Sequence, residues 1–407
     1  MKIRSVTYFD SPGYPIRDEF LIRSENFVSE VQKHFKNGDF EVQTIRFAAP
    51  PFPAFLNHLS IEKTIRYARE LEELMNDQGY LYISLGPALP EYPESYHLVT
   101  DLIENTENTF CSGMLTEKGK GISLIAVRAC AGIIQQLAPL DPNGFKNLYF
   151  AALGNVPAGA PFFPAAYHDG DRPSFAIAVE GADLAVDAFS NASSFKEARR
   201  NLVNSMEKYG QTISLISSGL EEATDTVYQG IDYSLAPFPE AKLSIGTALE
   251  KLGIRKLGQL GSLTAAAFLA DTIDRAHFPR VGFSGLMLAV LEDAVLAKRA
   301  ADGSLGIKDL LLYAAVCGTG LDTVPLPGDI SEGQVSAVLM DLSALSLRLN
   351  KPLTARLMPI PGKKAGDKTN FDFPFFANSK VMRVESEGLS GLFDSEDYLD
   401  IQQRPRS

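Results

Sequence analysis

The stretch LSIEKTIRYARELEELMNDQGYLYISL, Leu59 to Leu85, decides the fold class. Leu59 to Asn76 predicts an amphipathic helix. Ser60 stands at the N-cap position, and Ile61, Ile65, Ala68, Leu71 and Met75 fall on one face. Gly79 ends it, because the residue after a helix commonly turns left-handed and glycine does so without strain. Tyr80 to Leu85 then alternates like a strand. A helix feeding a short apolar strand is the building unit of α/β proteins.

The same order recurs on both sides. The opening Met1 to Asp10 reads as a first strand. Gly121 to Leu137 reads as helical, Leu148 to Leu153 and Phe175 to Val179 as strands, and Phe195 to Tyr209 as a helix. Further helices are expected over Glu240 to Leu252, Leu263 to Ala276, Leu286 to Ala301, Ile307 to Val316 and Ser331 to Leu349. A short buried strand is expected over Thr354 to Met358. Alternation of this kind implies mostly parallel pairing. There is no tandem repeat, heptad or low-complexity tract, and no linker stands out. One α/β domain is therefore expected, its halves near 1–220 and 221–390, followed by a polar tail over 395–407.

Composition narrows the function classes. Fifty Asp and Glu against 38 Lys and Arg give a formal charge of −12, which disfavours nucleic acid and anionic lipid as partners. Three cysteines, at 111, 130 and 317, form neither a disulfide framework nor a zinc-type pair. The opening residues lack an apolar signal core, and Glu292 and Asp293 break the longest apolar stretch, Val281 to Ala297. A cytoplasmic protein is expected, with no membrane span.

Candidate chemistry gathers in a few segments. Cys317-Gly-Thr-Gly-Leu-Asp322-Thr-Val-Pro-Leu-Pro-Gly-Asp329 reads as a glycine- and proline-shaped loop after a helix. Cys317 is a nucleophile or a small buried thiol. Asp322 is an acid/base group, an orienting group or a metal ligand, and Asp329 a cap for the helix near Ser331. Arg356 on its strand, with Lys363 and Lys364 in the turn beyond, offers an anion site, the alternative being a solvated basic turn. Asp232 and Ser234 stand at an expected strand end, where parallel sheets hold ligands, although an aspartate there also caps turns. Ser284 and Gly285 open an apolar run as an anion site or a helix cap. Glu292 or Asp293 must find a partner within that run. Cys111 lies in an expected loop before a helix, as a site residue or as packing. His168, beside Asp169, is the best general-base candidate among five histidines. Serine-hydrolase, zinc-protease, Walker and Rossmann signatures are absent, so no nucleotide or flavin is implied.

Read together, Cys111-Ser-Gly113, Gly121-Ile-Ser123, Gly230 to Pro237, Gly282-Phe-Ser-Gly285, Cys317 to Asp322, Pro327-Gly-Asp329 and Pro361-Gly-Lys-Lys364 resemble, in order, the motifs of the domain of unknown function 711 family. That resemblance implies a pyruvate formate-lyase-like fold, a ten-stranded α/β barrel of two parallel five-stranded halves with helices outside and loops reaching in. The glycyl radical motif is missing; Arg280-Val-Gly-Phe283 has another order and place. The expectation is a non-radical enzyme, of lyase or hydrolase type, acting on a small anionic metabolite in a central cavity. Its partners would be that metabolite and, as a homo-oligomer, other copies of the chain. A divalent metal held by Asp322 with Asp232 or Glu292 is a possible cofactor. The alternative is a non-catalytic regulatory protein that binds a small ligand.

Overall fold

A computed structural model of the protein describes residues 1–38, 40–316 and 318–403. Its centre is a nine-stranded sheet. In chain order the strands are β1 (Lys2–Phe9), β2 (Ile45–Ala48), β3 (Tyr82–Ala88), β4 (Thr109–Met114), β5 (Phe150–Gly154), β6 (Ser174–Glu180), β7 (Val227–Ala236), β8 (Gly320–Pro327) and β9 (Leu353–Ile360). Their order across the sheet is β8-β9-β5-β4-β3-β2-β1-β6-β7. The five from β5 to β1 run parallel. Antiparallel seams, β1 with β6 and β9 with β5, join them to the parallel pairs β6/β7 and β8/β9. The mixed α/β architecture is that of a large, mostly parallel sheet clothed in helices.

Helices follow the strands as the parallel crossovers require. Ile61–Asp77 buries Ala68, Leu71 and Met75, as the spacing indicates, and leaves Ile61 exposed. Helix Phe195–Thr224 runs well past Tyr209, and Asp18–Asn37 is a helix the sequence reading did not contain. Glu332–Leu349 begins at Ser331, whose hydroxyl accepts from Gln334 N while Gln334 reaches back to Ser331 N. Ser331, not the exposed Asp329, is the cap.

Three readings are corrected. The glycine-proline stretch is not a loop from Gly320 to Pro327; it is strand β8, buried along nearly its whole length. Glycine is needed there because a Cβ on Gly320 would lie 2.2 Å from Thr354 O of the neighbouring strand. A register shift between Leu321 and Val324, with Thr323 at φ 43°, marks a bulge in the pairing beside Pro325. Second, Phe110 to Gly113 belongs to β4 rather than to a loop. Third, the helix expected from Leu286 starts only at Ala294, capped by Asp293. Residues 280–292 are irregular, with bridges at Arg280 and Ala289 and a turn over 290–292; Leu286 to Leu291 is buried on every side, and such a run carries no period to separate helix from other structure. Val281 N and Met287 N donate to Ile231 O and Ser234 O of β7, at 3.2 and 3.1 Å. Val290 N donates to Asp322 O of β8 at 3.0 Å. One segment thus touches both outer strands of the sheet.

Helices cover one face of the sheet. The other face meets a loop, residues 155–173, that leaves β5 and returns into β6. Val156, Phe162 and Ala165 pack with Met114 of β4, Leu153 of β5 and Met287. Phe163 and Ala166 pack with Phe110 of β4 and with Phe9, Ala48 and Ala176 of three further strands. Alanines at these inner positions leave the room that the loop fills. The polar tail is ordered in part: Tyr398–Leu399 pairs with Gly121–Ser123.

Candidate functional site

Beside that inner loop lies a cavity of about 420 Å³. Register explains what faces it. Arg46 of β2 stands level with Thr7 of β1 and Tyr82 of β3, and Asp232 of β7 stands level with Ala178 of β6. Side chains level on parallel strands share a face, so Arg46, Tyr82, Ala178 and Asp232 all look inward. Arg4 from β1, Arg356 from β9, and Ser234 and Glu292 add to the polar lining, and Lys2, Glu41, Gln43 and Thr44 also reach it. Among its apolar residues are the rings of Tyr82, Phe110, Phe162, Phe163, Phe238, Phe373 and Phe375. The last two come from the arch Thr369–Ser379, pinned by Ala377 N to Leu291 O and by Ser379 Oγ to Ala297 O.

The charged groups form one buried network. Arg356 donates through Nε to Asp322 Oδ1 at 2.6 Å and through Nη2 to Glu292 Oε1 at 2.8 Å. Arg4 Nη2 reaches the other Glu292 oxygen at 2.5 Å. Burial pushes Glu292 upward, yet the Arg4 and Arg356 guanidinia more than offset it and hold it below the ordinary range. Burial raises Asp322 despite Arg356, and the Glu292 charge adds to the rise. Its Oδ2 is buried with no hydrogen-bond partner among the described residues. Asp232 is also raised by burial, against the Ser234 hydroxyl and the amides of Phe283 and Ser284, both at 3.0 Å. Gly282 must be glycine here, since a Cβ would sit 2.2 Å from the Asp232 carboxylate.

Arg46 differs. No carboxylate lies within ion-pair reach of it among the described residues. Its Nε donates to Thr44 Oγ1 at 2.9 Å, and its guanidinium lies over Tyr82 and Phe163 at 5.4 and 5.2 Å. Phe162, next in the chain, takes Arg356 in the same way at 5.6 Å. Burial, then the repulsion of Arg4 with Arg356 adding to it, pushes Arg46 down to about 9 against the attraction of Tyr82 and Glu292. It is still a cation at neutral pH, and the depression measures how little compensates it.

With this geometry in view, comparison with known sequences is informative. The family described as "Uncharacterised ACR (DUF711)" matches residues 1–379. The chain belongs to this family. The UPF0210 protein of Pyrobaculum aerophilum is 34% identical over 344 residues, 80% of this chain and 75% of the relative. That of Acetivibrio thermocellus is 27% identical over 371 residues, 87% and 80% of the two chains. A Clostridium perfringens relative is 25% identical over 383 residues, 91% and 85%.

Of the family-like segments, Gly230 to Pro237 contributes Asp232 and Ser234 to the cavity, and Gly282 to Gly285 props that aspartate from behind. Ser284 Oγ bonds to the backbone of Ile231 and Val281 and accepts from Tyr233 N, so it holds the irregular segment to β7. Gly285 belongs to the same segment and, like Ser284, is not among the residues lining the cavity. Asp322 and Arg356 come together. Other candidates lie elsewhere. Lys363 and Lys364 sit in the turn after β9, the second fully exposed, and neither lines the cavity. Cys111 alternates with the inward Phe110 and sits in the core beneath the helices, where burial pushes its thiol well up. Gly113, on the same side of the strand, would meet Cys130 Sγ and Tyr96. His168 is buried at the end of the inner loop, with Nδ1 3.4 Å from Asp169 and Nε2 3.3 Å from Asp171 O, and it does not line the cavity. Cys317 lies outside the described residues.

The sequence reading missed Arg4, Arg46 and the seven rings. The signal that singled out Arg356, a charge inside a short apolar strand, is present at Arg46 in Thr44-Ile-Arg-Phe-Ala-Ala49 as well. Among the described residues, no group of three His, Cys, Asp or Glu could hold a metal ion; Asp322 and Glu292 meet a guanidinium instead. No helix there is long and apolar enough to cross a membrane. A larger cleft of about 1010 Å³ lies outside, between the helices over 294–349 and the segment 380–399. It shares no residue with the inner network, so size does not mark the site.

Proposed function

We propose that this protein binds a small organic anion in the inner cavity and acts on it by proton transfer. The observation that carries the reading is Arg46, a guanidinium facing a ring-lined cavity with no carboxylate in ion-pair reach among the described residues. A half-buried cation without an ion-pair partner carries part of the cost of leaving water, and an anionic ligand offsets it. Arg4 and Arg356 are already paired and shape the field around it.

Two of the carboxyls lining the cavity, Glu292 and Asp232, are pushed apart by their surroundings, the arrangement expected of an acid and a base. Glu292, held ionised, takes a proton from the bound anion. Asp232, raised by burial, returns one at another atom. Neither His168 nor Cys111 is needed; the step moves a proton from one atom of the anion to another, and it becomes a lyase step where the proton from Asp232 goes to a group that departs as the carbanion collapses to a double bond. Two five-stranded halves closed by residues 280–292 would make the ten-stranded barrel of pyruvate formate-lyase-like proteins. The bonds from that segment to β7 and β8 support this reading.

A second reading, a binding protein without turnover, is favoured by one feature. Asp232 is fully engaged by Ser234 and two amides, and Glu292 by two arginines. Exchange of the α-protons of pyruvate and phenylpyruvate in D₂O, followed by proton NMR, separates the two. Exchange by the wild type that disappears in a folded Glu292→Gln variant supports proton transfer. Exchange that persists in that variant overturns the role of Glu292. No exchange in the wild type, with saturable binding of either acid, leaves the binding protein.

A further inference from the structure

Resting on the anion-site reading, we infer that the ligand is a monocarboxylate with a flat, aromatic or conjugated body. Charge sets the first part. Arg356 and Arg4 share Glu292 and Asp322, which leaves a single guanidinium, Arg46, uncompensated. A ligand with one negative charge balances it. A dianion would bring its second charge toward the ionised Glu292, which lines the same space and repels it.

Donor geometry sets the second part. Nε of Arg46 is spent on Thr44, and the rings of Tyr82 and Phe163 lie against the guanidinium plane. The terminal N–H groups have no protein acceptor among the hydrogen bonds of the described residues. A fixed, planar fork of donors matches the two coplanar oxygens of a carboxylate.

Shape sets the third part. The cavity is of small-molecule size and far exceeds an inorganic anion. Its apolar walls are mainly rings, several already locked edge-to-face: Tyr82 with Phe110 at 5.2 Å and Phe110 with Phe163 at 5.4 Å. Such walls favour an unsaturated, flat guest, which extends the same edge-to-face and stacked contacts. Consecutive residues of the inner loop, Phe162 and Phe163, each cover one arginine, so ring contacts and charge recognition are built by the same short segment.

The test is calorimetric titration of the full chain with benzoate, cyclohexanecarboxylate, inorganic phosphate and benzylammonium. Benzoate is expected to bind at one site per chain, at least tenfold tighter than the saturated acid or phosphate, with no binding of the ammonium. Arg46→Lys keeps the charge but loses the fork, and is expected to weaken benzoate tenfold or more. Phe163→Leu is expected to erase the preference for benzoate over cyclohexanecarboxylate, thermal melts confirming that both variants fold. Tyr82→Leu replaces it if Phe163→Leu does not fold. If phosphate or cyclohexanecarboxylate binds as well as benzoate, and Arg46→Gln abolishes that binding, the anion site stands and the aromatic carboxylate class is wrong. If no anion binds, or the ammonium does, the anion site itself falls.

Discussion

Arg356 and Arg46 line the same cavity under opposite conditions. Arg356 is met by two carboxylates, and their attraction outweighs its burial and raises it. Arg46 is met by two rings and a threonine, and its burial is not repaid. The first region is a structural knot that ties β9 to β8 and, through Glu292 and Arg4, to β1. The second is an open valence. A buried charge with matched partners holds a fold together when all members are present, whereas one without a partner marks a place kept for something else.

The largest expected effect comes from cutting the knot. Arg356→Met strands Asp322 as a buried acid without an ion-pair partner and leaves Glu292 with Arg4 alone, and is expected to lower unfolding free energy by about 3–5 kcal/mol in urea denaturation. A loss below about 1 kcal/mol would mean that the network is solvated rather than buried. Next is Arg46→Gln, which leaves no acid unpaired. Its melting temperature is expected to equal or exceed that of the wild type. Benzoate binding is expected to weaken roughly 10- to 100-fold, the worth of a charge-assisted pair. A variant as unstable as Arg356→Met would erase the distinction between the two arginines.

A smaller effect is expected from pH. Asp232 is raised in the folded state by burial, so the folded protein holds a proton that the unfolded chain releases near pH ~3.9. Stability from this group therefore falls as pH rises above that value, toward the folded pKa. Melting curves between about pH 4 and 7 are expected to be flatter for Asp232→Asn than for the wild type. A steeper curve would mean that the amides of Phe283 and Ser284 win over burial. The smallest effect is the control: Lys363→Ala, outside the cavity, is expected to change neither benzoate affinity nor stability by more than about 0.5 kcal/mol.

How much of this was legible varied with local signal. Helices with a clear apolar run, such as Ile61–Asp77 and Ile307–Val316, could be read directly. So could the strand carrying Arg356, because a charge in an apolar run has no innocent place. Strand β2 has four residues and escaped notice, and Arg46 escaped with it. Strand β8 looked like a loop because its glycines and prolines answer to a neighbouring backbone and a bulge, both set by tertiary contact. The run Leu286 to Leu291 looked helical for a related reason: buried on all sides, it has no period. Asp232 and Ser234 were visible as a polar alternation on an apolar strand. The pairing of Asp322 with Arg356 was not, since 34 residues separate them and only the parallel pairing of β8 and β9 brings them level.

The central claim, that Arg46 is the ligand's partner, is open to one direct look. Crystals of the wild-type protein soaked in 4-bromobenzoate, with diffraction data collected at the bromine absorption edge, locate the ring independently of any fitted density. The expected result is a bromine peak among Tyr82, Phe110 and Phe163, with the carboxylate oxygens in hydrogen-bond range of the Arg46 terminal nitrogens. A peak confined to the outer cleft near residues 380–393, or a carboxylate turned away from Arg46, would contradict it.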